Sequence, residues 1–221
     1  MCGICGIFRP PEIDGSPEGF VSPDRAPLER MNVALTHRGP DSDGFFYAPG
    51  VSLAMRRLAI IDLHTGDQPI PNEDHTIRIV FNGEIFNFPA LRPALEARGH
   101  TFRTNADTEA IVHLYEDHGP ACVEALNGQF AFALWDARRR RLLLARDRMG
   151  EKPLYYTVEG GTLYFSSELP SLLVGLPARP PLSLPALDQY LSLQYVPEPF
   201  TPFDGVFKLP AAHRMVWENG D

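Results

Sequence analysis

Apolar positions along this chain follow two rhythms, and the places where one gives way to the other divide it into strands and helices. Gly3–Phe8 is short and apolar enough to be a buried strand, which would hold the N-terminus inside the structure instead of leaving it frayed. Pro27–Thr36 sets Leu28, Met31 and Leu35 at helical spacing behind a proline start. The next segment, His37–Gly44, is turn chemistry throughout and predicts a loop. Val51–Leu63 and Ile77–Phe81 are β-branched and aromatic runs bounded by Gly, Asn and Pro, and predict strands. Leu91–Arg98 and Thr108–Asp117 return to three- and four-residue spacing and stop at Gly99 and Gly119, as helices do. Strands resume at Gln129–Asp136, Leu142–Arg146, Leu154–Val158 and Thr162–Ser166; a short helix at Pro185–Leu193 precedes a last strand near His213–Glu218. Strands, then helices, then strands again predict stacked sheets with helices outside.

Composition adds exclusions. A chain of 221 residues with 44% apolar positions can bury one large core, and a net charge of −8 argues against nucleic-acid binding, which needs a basic face. Arg138–Arg141 is the one basic run; lying between two apolar stretches, it reads as a solvated hairpin turn. No apolar stretch approaches the ~18–20 residues that span a bilayer, and the N-terminus has no basic-then-apolar leader, so a cytoplasmic protein is expected. Prolines cluster near residues 10–27, 177–185 and 197–210, in turns and connecting loops. Three cysteines, Cys2, Cys5 and Cys122, suggest no disulfide framework.

Cys2 is the first residue with chemical promise. Removal of Met1 would leave a thiol and a free α-amine on one residue, and an amine of pKa about 7.7–8.0 is roughly 10–15% neutral at pH 7. Such an amine can act as the base for its own nucleophile. Acyl transfer also needs donors for an oxyanion, and Asn82-Gly83-Glu84, directly after the strand Ile77–Phe81, offers a side-chain amide and a glycine N–H. The same residues also fit an Asn-Gly hairpin turn. Arg57 suits a substrate carboxylate, and Asp107 suits an ammonium, although Asp107 is also placed to be a helix N-cap.

Taken in order, Met1–Phe8, His37–Gly44, Arg57–Leu63, Gly66–Pro69, Asn82–Asn87, Thr104–Glu109, Arg146–Tyr156 and Phe165–Glu168 resemble the glutaminase domain of glutamine-dependent asparagine synthetases. Gly205–Pro210 is similar to the segment that leaves that domain. Sugar-phosphate and purine amidotransferases share the Cys-Gly-Ile start and an Asn-Gly, but are less similar over Arg57–Leu63 and Asn82–Asn87. The resemblance implies an α+β fold of the N-terminal-nucleophile hydrolase type, four layers α/β/β/α with two stacked antiparallel sheets. It implies Cys2 as nucleophile, Asn82 and Gly83 as oxyanion hole, and a glutamine site made by Arg57, Leu58, Ala59, Ile60, Ile61, Asn82, Gly83, Glu84 and Asp107, with no metal. It implies an amidotransferase domain over residues 1–210, with 211–221 leading toward a synthetase domain. ATP and Mg2+ are expected only in that absent domain, since this sequence has no glycine-rich phosphate cradle. Glutamine and the synthetase domain, fused or in trans, are the implied partners, and a homodimer is compatible. Ala106 departs from the polar residue common before the aspartate. Two other classes remain open at this point: a non-catalytic structural or regulatory domain of an ammonia-using ligase, and a metal or redox module built on Cys2-x-x-Cys5.

Overall fold

A computed structural model describes residues 1–9, 25–59, 62 and 65–218. The proline-rich stretch 10–24 and residues 60, 61, 63 and 64 lie outside the described residues, among them the expected site residues Ile60 and Ile61.

The chain runs through β1 (Gly3–Phe8), α1 (Arg25–Ala34), β2 (Ser42–Ala48), β3 (Val51–Arg57), β4 (Ile70–Pro71), β5 (Ile77–Ile85), α2 (Phe88–Glu96) and α3 (Asp107–His118). It continues with β6 (Gly128–Asp136), β7 (Arg141–Arg146), β8 (Tyr155–Glu159), β9 (Thr162–Ser166), α4 (Leu169–Gly175), α5 (Leu184–Leu193), β10 (Val206–Lys208) and β11 (Arg214–Glu218). Among the described residues the strands make two antiparallel sheets, ordered β10-β8-β9-β1-β3-β2 and β11-β7-β6-β5-β4.

Strand alternation sorts the core into three layers. On β1, Ile4 and Phe8 face the other sheet, while Cys5 and Ile7 pack under α1 and α4 with Leu28, Met31 and Leu172. On β6, Ala131, Ala133 and Trp135 meet that inter-sheet core, while Phe130, Phe132 and Leu134 pack under α3. Helices thus cover the outer face of each sheet and the inner faces close on each other, the four-layer α/β/β/α arrangement expected.

Several boundaries differ from expectation. The His37–Gly44 loop gives way to β2 at Ser42, because Gly44 lets the strand pass close to Gln68: a Cβ there would lie 1.8 Å from the Gln68 carbonyl oxygen. β3 ends at Arg57, short of Leu63, where its neighbours run out of pairing residues: Arg57 pairs with Ser42, the first residue of β2. β5 runs on through Asn82-Gly83-Glu84 to Ile85, paired with Ala131 to Gly128 of β6, so the hairpin-turn reading is overturned. Two glycines permit this, since a Cβ on Gly83 would sit 2.1 Å from the Gln129 carbonyl and one on Gly128 2.2 Å from the Glu84 carbonyl. The short β4, α4 and β10 carry too little pattern to be seen in advance. Arg138–Arg141 spans the β6–β7 hairpin turn and the start of β7; Arg138 pairs with Asp74 and Arg141 with Glu218. Among the described residues no helix is long and apolar enough to cross a membrane.

Candidate active site

The alternation that builds the inter-sheet core also delivers polar side chains to one end of it. Continuing β1 backward from Ile4 gives Cys2, continuing β3 forward from Met55 gives Arg57, continuing β5 from Val80 gives Asn82 and Glu84, and continuing β6 backward from Ala131 gives Gln129. The residues line one cavity of about 210 Å3, together with Met1, Leu58, Gly66, Gln68, Gly83, Asp107 and Lys152. Both sheets contribute, so the cavity is the open end of the sandwich.

Cys2 is fixed by its main chain. Arg38 donates from Nε to the Cys2 carbonyl at 2.8 Å while its Nη1 holds Glu168 at 2.8 Å. Two residues after Cys2, Ile4 exchanges hydrogen bonds with Ser167: the Ile4 N–H donates to Ser167 Oγ and the Ser167 N–H to the Ile4 carbonyl. The Cys2 sulfur lies between the two ends of the Leu58 peptide, accepting from its N–H at 3.4 Å and donating to its carbonyl at 3.6 Å. The Met1 side chain sits on the cavity wall, its sulfur 3.6 Å from Lys152 Nζ.

In the same cavity as the thiol, Asn82 is 1% exposed and its Nδ2 has no hydrogen-bond partner. An unsatisfied buried amide costs about 1–3 kcal/mol, so a donor left in this condition in a cavity wall is available for an acceptor brought in by a ligand. Gly83 follows it with backbone close to β6.

Charge lines the rest. Arg57 is buried, donating from Nη1 to Asp67 at 2.9 Å and from Nη2 to the Asp62 carbonyl. Asp62 in turn accepts from Thr65 and from the Asn105 N–H at 2.7 Å, which ties the loop after β3 to the approach to α3. Ala59 donates to Asp41 at 2.9 Å and is not part of the cavity lining, whereas Leu58 is. Asp107 is not the N-cap of α3; Ala106 holds that position, and Asp107, as first helical residue, accepts from the Ile85 N–H at 2.7 Å. Its carboxyl is pushed above the usual aspartate range, chiefly by burial and against the pull of backbone N–H bonds from Ile85 and Thr108, with nearby Glu84 adding to the rise. A buried carboxylate beside a second acid is a place for a cation.

Gln68, Gln129 and Lys152 were not singled out in advance. Lys152 is buried with its ammonium 3.0 Å from Gln129 Oε1, and is delivered by Asp147, whose carboxylate accepts from the N–H groups of Phe130, Met149, Glu151 and Lys152. Gln68 Oε1 accepts from the Phe81 N–H. Strand register reveals Gln129 once β5 and β6 are paired, and the Arg146–Tyr156 motif contained Lys152 without stating its place. Cys2 and Cys5 lie on opposite faces of β1, and burial drives the Cys5 thiol far upward, so the C-x-x-C cannot close on one metal or one disulfide. Cys122 is likewise buried, its thiol pushed up to about 12.

The chain resembles known proteins in sequence and in fold. A family model described as a glutamine amidotransferase domain matches residues 1–221. The asparagine synthetase [glutamine-hydrolyzing] 1 of Bacillus subtilis (strain 168) is 41% identical over 224 residues, covering 100% of this chain and 34% of that protein. The asparagine synthetase [glutamine-hydrolyzing] of Sandersonia aurantiaca is 48% identical over 173 residues, covering 78% of this chain and 31% of its own length. The chain therefore spans about a third of these relatives. Among solved structures, the glutamine phosphoribosylpyrophosphate amidotransferase from B. subtilis superposes with a TM-score of 0.60 at 21% identity, over 79% of this chain and 43% of that one, a likeness of fold.

Proposed function

The chain belongs to the glutamine amidotransferase domain family, and on that footing we propose that it hydrolyses the side-chain amide of glutamine through a thioester on Cys2. Met1 is removed first, which frees the α-amine and clears the Met1 side chain from the cavity wall. The amine takes the thiol proton as sulfur attacks the amide carbon. Negative charge moves to the carbonyl oxygen, where the Asn82 side-chain N–H and the Gly83 backbone N–H receive it. The ammonium returns its proton to the leaving nitrogen, the C–N bond breaks and ammonia departs. Water, deprotonated by the same amine, then attacks the γ-glutamyl thioester and releases glutamate and the thiol. Arg57 holds the substrate α-carboxylate, which joins or displaces Asp67; Asp107, with Glu84, holds the α-ammonium; and Leu58 backs the thiol.

The observation that carries this reading is the buried Asn82 amide without a partner in a cavity that also holds Cys2, Arg57 and Asp107. The expected result is that Cys2→Ala stops release of glutamate and ammonia from glutamine while the protein stays folded; turnover close to the parent's would overturn the mechanism. Intact mass provides a second check, since in protein that retains Met1 the Cys2 nitrogen is a peptide amide and not an amine, so activity of that form would also overturn it.

The length shared with the relatives supports a wider proposal. The chain supplies ammonia to an ATP- and Mg2+-using synthetase portion, fused or in trans, that activates aspartate as its acyl-adenylate and yields asparagine, AMP and diphosphate. The three cysteines are unpaired, which fits the reducing cytoplasm where this chemistry belongs.

A further inference from the structure

Further along α3 than Asp107 and Thr108, which line the cavity, four side chains from three segments converge: Glu73 from the β4–β5 loop, His100 from the α2–α3 connection, and His113 and Glu116 of α3. We propose that they form a binding site for a divalent transition metal of the zinc class. One donor atom from each lies within 4.8 Å of all the others. Glu116 Oε2 is 2.9 Å from His113 Nδ1 and 3.4 Å from His100 Nδ1, and Glu73 Oε1 is 3.8 Å from His113 Nδ1. A tetrahedral ion with bonds of about 2.0–2.1 Å sets its donors about 3.3 Å apart, so the three contacts above need changes of about half an ångström or less and the widest pair must close by about 1.5 Å. Two imidazoles with two carboxylates select zinc, cobalt or nickel over calcium or magnesium, which want oxygen donors alone.

The independent observation is the back of His113. Its ring is 1% exposed, and the buried Nε2 has no hydrogen-bond partner; the nearest carboxylate, Glu109 Oε1, is 3.8 Å away. A metal on Nδ1 fixes the proton on Nε2 and aims it at Glu109, the carboxylate support that metal-bound histidines commonly have. Glu109 is braced for that task by the N–H groups of Arg103 and Thr104 and the Thr104 hydroxyl. The ligands are braced too: Asn72 donates to Glu116 Oε1 at 2.9 Å and the Thr101 N–H to Glu73 Oε1 at 3.2 Å. Glu73 is 36% exposed and leaves a path from solvent.

The test is a titration of metal-stripped Cys2→Ala protein, which removes the thiol as a rival ligand. Co2+ should bind one to one with the intense visible absorption of a tetrahedral site, and Zn2+ should displace it and raise Tm. His100→Asn and Glu73→Gln, both outside the buried core, should each weaken Co2+ binding at least tenfold while the metal-free Tm stays near the parent's. Absence of a saturable one-to-one phase, or affinities unchanged in both variants, overturns the proposal and leaves the cluster as an ionic brace of His113 by its carboxylates.

Discussion

Two residues of the cavity are held in conditions that cost the empty protein something, and each cost points to a ligand group. Asn82 Nδ2 is buried and unpaired, so its removal should not weaken the fold, yet it should strip one donor from the transition state. Asn82→Ala is expected to lower kcat by about 10²–10³, equivalent to about 2.7–4 kcal/mol, with Tm unchanged or raised. A large fall in Tm would show that the amide supports structure instead. Asp107 carries the other cost. Its carboxyl is raised in the fold, so the protonated form is favoured there; its contribution to stability is present below the ordinary aspartate pKa and is lost as pH rises through the folded value. At neutral pH the ionised carboxylate is therefore poorly accommodated until an ammonium arrives. Binding of glutamine should need that ionised form, so KM should rise on acidification, beginning above the ordinary aspartate range, apart from the fall in kcat set by protonation of the α-amine. Asp107→Asn should raise KM by at least about 30-fold, as expected for breaking a buried charge pair, and should flatten its rise with acid. A KM profile unchanged in Asp107→Asn would assign that rise to another group.

At the scale of elements, the site is a consequence of register, and register marks how far the sequence could be read. Strands with clean patterns were legible: β1 and β9 have the expected limits, and β6, β7 and β11 differ by one residue. What propensity hid was the extension of β5, because Asn, Gly and Glu are poor strand formers and only pairing with Gln129–Ala131 holds them extended. The same pairing brings Gln129 to the cavity, and the Asp147 knot brings Lys152, neither of which a linear pattern announces. Arg57, Asn82 and Asp107 could be picked out from guanidinium, amide and carboxylate chemistry, and the fold brings them into one cavity with Cys2. The place of Asp107 at the helix start was not legible: Ala106 holds the N-cap, and the Asp107 carboxylate accepts from the Ile85 N–H. Gly83 is where element and site meet. Gly83→Ala puts a methyl against the Gln129 carbonyl and the Phe130 Cα, so β5 and β6 must part. The expected loss is about 1–3 kcal/mol in denaturant unfolding, with kcat falling further than stability alone explains, because the Gly83 N–H and Asn82 move together. Full activity with parental stability would mean that β6 yields without disturbing β5.

For the whole molecule, the two-sheet core fixes the distance between the Cys2 thiol and the Asn82 amide, since Cys2 extends one sheet and Asn82 belongs to the other. That core is well filled, with the Phe8 ring packed on Trp135 and Trp217 at centroid separations of 5.7 and 6.2 Å. The periphery contrasts with it. On α5, Leu184 and Leu191, one heptad apart and so on one face, are 76% and 80% exposed, and Tyr190 on the helix and Tyr195 just after it are also open to solvent. Apolar side chains exposed in this number usually meet a partner, and the two thirds of the relatives' length that this chain does not span offer one. The role proposed for that portion is to consume ammonia, so an interface on α5 should govern coupling without touching hydrolysis. With the synthetase portion present, fused or in trans, the double variant Leu184→Glu, Leu191→Glu should hydrolyse glutamine at the parental rate yet yield fewer asparagines per glutamate, because ammonia escapes at a loosened joint. Assaying both products in one reaction reads that ratio directly. A ratio equal to the parent's, with hydrolysis intact, would remove α5 from the interface; a loss of hydrolysis itself would show that this helix supports the glutamine cavity through the fold.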